Sequence, residues 1–283
     1  MMAAIKKNTA LFFIIPSLIG FGLFYILPFI YSLGYAVVDK PVNGSFVGLS
    51  NFMDLLQNAA YLKGLSNTVW FIGVSIPIGM ALSLAVAMLV NRQKRAKVVI
   101  MLLFLIPLVI PSGSMVFFWK SFFAYDGYLN GLLHAVGLPI VNWLETEKVR
   151  FVIVLIFLWK SLGYSIVLFV AGLNNISEEY YQAAAVDGAG VFQTLRHITL
   201  ANLAPTFILV MIMSVINSFK VFKEIYVITG SYPHDSIYML QHFMNNMFTS
   251  LNYPRLTSAT CILVVTVTLI TQMLLKAEGK VSE

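Results

Sequence analysis

YYQAAAVDGAG, at Tyr180–Gly190, is the stretch from which the rest of this 283-residue chain is best read. Just before it stands Ser177, whose short hydroxyl side chain suits the free N–H groups that open a helix. Glu178 and Glu179 follow, placing negative charge in a first turn where the helix dipole favours it. Ala183, Ala184 and Ala185 continue a strong helix-forming run. Asp187-Gly188 then supplies a stop, because glycine enters left-handed backbone at a helix end without steric cost. A second helical stretch runs from Val191 through Ile198. The pattern predicts two short helices meeting at a fixed elbow, with small side chains outward that let another protein's surface approach closely. An amphipathic helix lying on lipid is the alternative this geometry leaves open.

Around this polar segment the chain is built for lipid. Hydrophobic residues make up 59% of it and charged residues 11%, against about 25% charged in a soluble domain. A helix needs roughly 20 apolar residues to cross the hydrocarbon core. Runs at about 10–36, 68–90, 98–119, 151–173, 205–228 and 256–275 qualify. The expected class is therefore an all-α integral membrane protein with six transmembrane helices, one membrane domain over residues 1–283. The N-terminal run is longer than the apolar core of a cleavable signal and has no small-residue cleavage site, so it reads as a retained span. Pro16, Pro28, Pro77, Pro107 and Pro111 fall inside the first three runs. They fit either simple kinks or bends that line a cavity.

Orientation follows from the basic residues. NRQKRAK at Asn91–Lys97 separates two spans, and Lys6 and Lys7 precede the first. The positive-inside rule puts both on the cytosolic side. Both termini and the loop 174–202 are then cytosolic, and 39–67, 120–150 and 229–255 lie outside. In the first outer segment, Ser50 could cap a short surface helix through Tyr61.

Other function classes lack their signatures. The net charge of +6 comes from residues at the ends of apolar runs, so it does not mark a nucleic-acid partner. Cys261 is the single cysteine, which leaves no intrachain disulfide and no cysteine metal cluster. No G-x-x-x-x-G-K-[ST] phosphate loop is present, so no nucleotide chemistry is expected in this chain. Glu145 and Glu147 are the nearest carboxylate pair but stand in a polar loop without a nucleophile or base beside them. An ATPase-independent secondary transporter would place an acidic or histidine relay within its spans. Here His134, His197, His234 and His242 fall in or near loops, and Glu224 is the one carboxylate within a span.

Within the spans, Lys160 and Asn217 lie near mid-depth. A charge at that depth costs at least about 2.5 kcal/mol on insertion scales, which makes function the default reading, with carbonyl bonding or snorkelling as the alternative. Trp159 and Tyr164 are placed to stack on a ring or to pack in the bundle; Asn217 and Ser218 could bond hydroxyls. Lys220 and Glu224, four apart, could pair on one helix face.

Several motifs together give the chain a family. Gln182-Ala183-Ala184, three residues, Gly188, then Ile198-Thr199-Leu200 resembles the Glu-Ala-Ala, glycine, Ile-x-Leu-Pro signature of permeases of ATP-binding cassette importers. NFMDLL at Asn51–Leu56, NTVWF at Asn67–Phe71, LFLIPLVIP at Leu103–Pro111, AGLNNIS at Ala171–Ser177 and FKEIYVITG at Phe222–Gly230 look like its carbohydrate-importing branch. Gln182 stands where the family usually has glutamate, Ala201 where proline often follows, and Ser231-Tyr232-Pro233 where Gly-Gly-Pro is usual. The resemblance implies the type I importer permease fold with a cytosolic coupling helix. It implies ATPase contact through Glu179, Gln182, Ala183, Ala184, Asp187, Gly188 and Ala189, and a substrate path past Trp159, Lys160, Tyr164, Asn217 and Ser218. It further implies a prokaryotic cell membrane, a second and different permease, two cytosolic ATPase subunits that bind ATP and Mg, and an extracytoplasmic solute-binding protein. The cargo would be a mono- or oligosaccharide, or a polyol, glycerol phosphate ester or uronate.

Overall fold

A computed structural model describes residues 13–93 and 95–282. Lys6, Lys7, Lys94 and the first residues of the 10–36 run lie outside the described residues. Among the described residues the regular structure is helical, apart from an isolated antiparallel bridge between Val38 and Phe46. The helices are α1 (Phe13–Tyr35), α2 (Ser50–Leu56), α3 (Ala59–Asn91), α4 (Lys97–Val109), α5 (Ser112–Phe123) and α6 (Tyr128–Ala135). After them come α7 (Val149–Asn174), α8 (Glu178–Val186), α9 (residues 191–202), α10 (Ala204–Lys220), α11 (Phe222–Thr229), α12 (Leu240–Thr249) and α13 (Tyr253–Ser282).

Five stretches are long and apolar enough to cross a bilayer: α1, α3, α7, α10 with α11, and α13. The sixth expected span, 98–119, is not one straight helix. α4 ends at Val109, and the next helix leaves at 92° to it. The cause is local. Proline disfavours helical backbone in the residue before it, and Ile110, before Pro111, is extended at ψ 129°. Pro77 and Pro107, by contrast, sit inside helices that continue past them. The outer surface helix also differs from expectation. α2 stops at Leu56, Ser50 is its first residue rather than its cap, and Tyr61 already belongs to α3.

Residues 13–62 and 244–267 form one compact unit. None of α1 is buried, and its apolar side chains face outward along its length, as a lipid-facing helix requires. Within this unit Asn51 donates to the Ala36 and Val38 carbonyls at 3.0 and 2.8 Å, which fixes the turn after α1.

Residues 63–243 and 268–282 form the other unit, organised around α7. One stripe of α7 (Ile166, Phe169, Val170, Leu173) packs with Ile76, Met80 and Ala87 of α3 and Val210 of α10. Further along, Val149, Ile153 and Phe157 meet Phe71, Val221 and Ile225. In lipid, helix association relies on close packing rather than on release of water, so small residues mark the tightest approaches. Gly163 of α7 is such a point: a β-carbon there would overlap the Phe104 carbonyl of α4. Gly172 does the same against Thr206 of α10.

Candidate functional site: a glycine elbow and a charged cavity

The 174–202 loop folds as its local sequence dictates. Ser177 accepts the Glu179 N–H at 3.3 Å and opens α8. Ala189 N–H bonds the Ala184 carbonyl at 2.9 Å and Gly188 N–H the Ala185 carbonyl at 3.2 Å, the paired bonds of a Schellman ending. Gly188 takes φ +74°, and a β-carbon there would meet nothing within 4 Å. Its requirement is therefore backbone handedness, not space. Gly190 N–H donates to Gln193 Oε1 at 2.9 Å and starts α9, which carries a π turn at Leu195–Thr199.

The tip of this elbow is more apolar than the small-residue surface expected. Val186 is 88% exposed, Val191 83% and Phe192 72%. Exposed apolar side chains gathered on one loop suit an interaction surface. At its base, Lys97 Nζ donates to Asn91 Oδ1 at 2.6 Å and to Asn174 Oδ1 at 2.8 Å. That ties the α3–α4 turn to the end of α7. Tyr181 and Thr199 hydroxyls, 3.3 Å apart, join α8 to α9. A cleft of about 590 Å³ behind the elbow is lined by Arg92, Glu178, Tyr181 and Ala189 among others.

The second feature lies inside the apolar layer. Lys160 of α7 forms an ion pair with Glu224 of α11. Ser112, first residue after the break, donates to Glu224 Oε1 at 2.9 Å and accepts from Lys160 Nζ at 3.0 Å. Glu224 is 6% exposed at its side chain and Lys160 33%. Burying either charge alone would be prohibitive, and the pair is viable because the partners and the hydroxyl satisfy one another. Beside it opens a cavity of about 140 Å³ whose polar lining includes Lys160, Tyr164, Asn217, Lys220 and Glu224. That is close to the roughly 150 Å³ of a cavity that admits one benzene ring. Tyr164 Oη lies 3.0 Å from Ser214 Oγ, holding the phenol of α7 against α10.

Residues 75–277 match the model of the family described as binding-protein-dependent transport system inner membrane component. The chain belongs to that family. This permease is 33% identical over 199 residues to the trehalose/maltose transport system permease protein MalF of Thermococcus litoralis, covering 70% of this chain and 66% of that protein. It is 32% identical to the arabinooligosaccharides transport system permease protein AraP of Bacillus subtilis, over 79% of this chain and 72% of that one. Its fold is that of a chain in the crystal structure of a bacterial transporter for import of the acidic polysaccharide alginate. The TM-score is 0.84 at 19% identity, covering 100% of this chain and 99% of that chain. The permease is thus a multi-pass protein of the cell membrane with the type I importer permease fold.

The residues singled out from the sequence do not all converge. Lys160, Tyr164 and Asn217 line one cavity. Trp159 is not on that lining: its ring stands edge-on to Trp119, centroids 5.6 Å apart, and it borders a smaller neighbouring pocket with Ser112, Lys160 and Glu224. Ser218 is buried and gives its hydroxyl to the Val215 carbonyl of its own helix at 2.6 Å. Glu224 pairs with Lys160 of α7, not with Lys220, although Lys220 and Glu224 line the same cavity. On the elbow, Glu179, Gln182, Ala183, Asp187 and Gly188 are exposed, and Ala189 is half-buried against the cleft. Ala184 is only 7% exposed and faces inward, so it packs the elbow rather than presenting it. Ser112, Val186, Val191, Phe192 and Lys97 were not foreseen. Ser112 alone left a signal, as the first hydroxyl after Pro111.

Proposed function

We propose that this permease is one of two membrane subunits of an ATP-binding cassette importer that carries a carbohydrate into the cell. The rigid Gly188 elbow with its exposed Val186, Val191 and Phe192 tip carries the reading. A loop this polar at its ends and apolar at its tip suits insertion into a cleft of an ATPase subunit, with Gln182, Ala183, Asp187 and Gly188 at the contact. In this reading the elbow and both termini are cytosolic, and the partner is a different permease. Two ATPase subunits bind ATP and Mg, and an extracytoplasmic binding protein delivers cargo. This chain performs no catalysis itself. ATP-driven closure of the ATPases moves the elbow, and Lys97, Tyr181 and the α7–α10 contact pass that movement to the spans. Cargo meets the cavity at Lys160, Tyr164 and Asn217. The relatives named for trehalose/maltose and arabinooligosaccharides support a sugar as cargo.

The test uses the assembled transporter with a Gly188→Val substitution. A β-branched residue at φ +74° is strained, by roughly 1–2 kcal/mol, and the elbow must re-form in another shape. Uptake should fall to background while membrane insertion and assembly persist. Uptake at the wild-type level overturns the coupling role.

A further inference from the structure

The cavity beside α7 holds one more positive charge than negative. Lys160 and Glu224 cancel each other in their ion pair. Lys220, also on the lining, has neither ion-pair nor hydrogen-bond partner among the described residues. Asn217, three residues earlier on α10, likewise bonds nothing with its side-chain amide among the described residues. Residues three apart share a helix face, so a free ammonium and a free amide flank the same opening. Across from them stands the Tyr164 hydroxyl of α7.

We infer that the cargo carries a carboxylate, and that Lys220 with Asn217 is the subsite that receives it. The inference rests on the importer reading above and refines its cargo class to an acidic saccharide. Three arguments support it. First, Lys220 is exposed on a membrane-spanning helix, where an unpaired cation is costly unless something neutralises it or its stem carries it to water. Lys220 lies nine residues before the end of α11 at Thr229, roughly 14 Å of helix from that end. Second, Lys160 is already engaged by Glu224 and Ser112, and Tyr164 by Ser214, while Ser161, also on the lining, offers only a neutral hydroxyl. Third, the net surplus is one charge, which matches a monoanionic carboxylate better than a phosphate monoester at about −1.5 to −2. The cavity's size, about 140 Å³, leaves no room to enclose an extended chain. A uronate residue of a saccharide meets all three conditions.

The test compares uptake of neutral disaccharides with that of their uronate-ended counterparts. It uses the complete transporter with its binding protein in proteoliposomes, for wild type, Lys220→Met and Lys220→Arg. Methionine keeps the length and apolar stem; arginine keeps the charge. Wild type should take up an acidic disaccharide, Lys220→Met should lose about tenfold or more in its kcat/KM, and Lys220→Arg should restore most of it. Any loss in uptake of a neutral disaccharide should be several-fold smaller than the loss for its acidic counterpart. Transport of neutral sugars alone, or acidic uptake untouched by Lys220→Met, overturns the subsite and leaves sugar import standing. An equal loss on both sugars overturns it too, because that outcome fits a lysine reaching for the membrane surface. Uptake of no sugar at all overturns the importer reading itself.

Discussion

Consider the removal of one partner from the Lys160–Glu224 pair. In Glu224→Gln the Lys160 ammonium keeps only the Ser112 hydroxyl and whatever solvent reaches a side chain that is 33% exposed. In Lys160→Met the carboxylate of Glu224, 6% exposed, keeps only the Ser112 O–H. Breaking a buried pair from one side costs roughly 3–5 kcal/mol, since the remaining charge loses its counter-ion but not its burial. The two variants should not be equal. Lysine can carry its charge toward the cavity on a flexible stem, so Glu224→Gln belongs near 3 kcal/mol, and Lys160→Met near 5 kcal/mol, on this roughly estimated scale. The double variant leaves no charge to strand and should return to within about 1 kcal/mol of wild type. At about 2–4 °C per kcal/mol for a large domain, the single variants should lose roughly 6–20 °C of apparent melting temperature in nanodiscs. The double-mutant cycle should show a coupling of about 3 kcal/mol or more. If the single effects simply add in the double, with coupling under about 0.5 kcal/mol, the pair is not what holds α5, α7 and α11 together.

Two further outcomes follow from features elsewhere in the fold. Gly163→Ala should disrupt the α4–α7 contact, because its methyl would overlap the Phe104 carbonyl. A loss of about 1–3 kcal/mol is expected for overpacking, read as a lower melting temperature, whereas Gly73→Ala, in open space, should leave it unchanged. His242 is fully buried between Phe222 and Tyr238 and accepts the Met239 N–H on Nδ1, and burial pushes its imidazole pKa down to about 4. The unfolded chain, with an ordinary value near 6.5, binds the proton first. Stability is therefore intact above about pH 6.5 and lost progressively as pH falls from there to about 4. His242→Asn should flatten that stretch of the pH–stability profile; an unchanged slope would assign the loss to another group.

The features that could be read from the sequence are those set within a few residues. The elbow was legible because Ser177 opens it and Gly188 closes it, each through bonds to near neighbours. The apolar runs were legible because span length is fixed by the bilayer. The break after α4 was only half legible. Pro77, Pro107 and Pro111 look alike in sequence, yet only Pro111 ends its helix. The partner of Glu224 is hidden from the sequence for a related reason. Lys220 and Glu224 satisfy the local spacing rule, while Lys160 is 64 positions away from Glu224, and only tertiary packing brings it closer. Direction was the other missing quantity. Trp159 and Lys160 are adjacent, but one turns to Trp119 and the other to the cavity. Nothing local distinguishes the inward Ala184 from the outward Ala183.

The meeting of Ser112 with Lys160 and Glu224 at the 92° bend has an evolutionary consequence. Two of the cavity's charges also brace the backbone, so a lineage that alters either to suit a new solute must first repair its own architecture. Lys220 and Asn217 bear no such duty. Divergence in cargo among descendants of this permease should accumulate at those two positions, while the braced trio stays fixed or changes together.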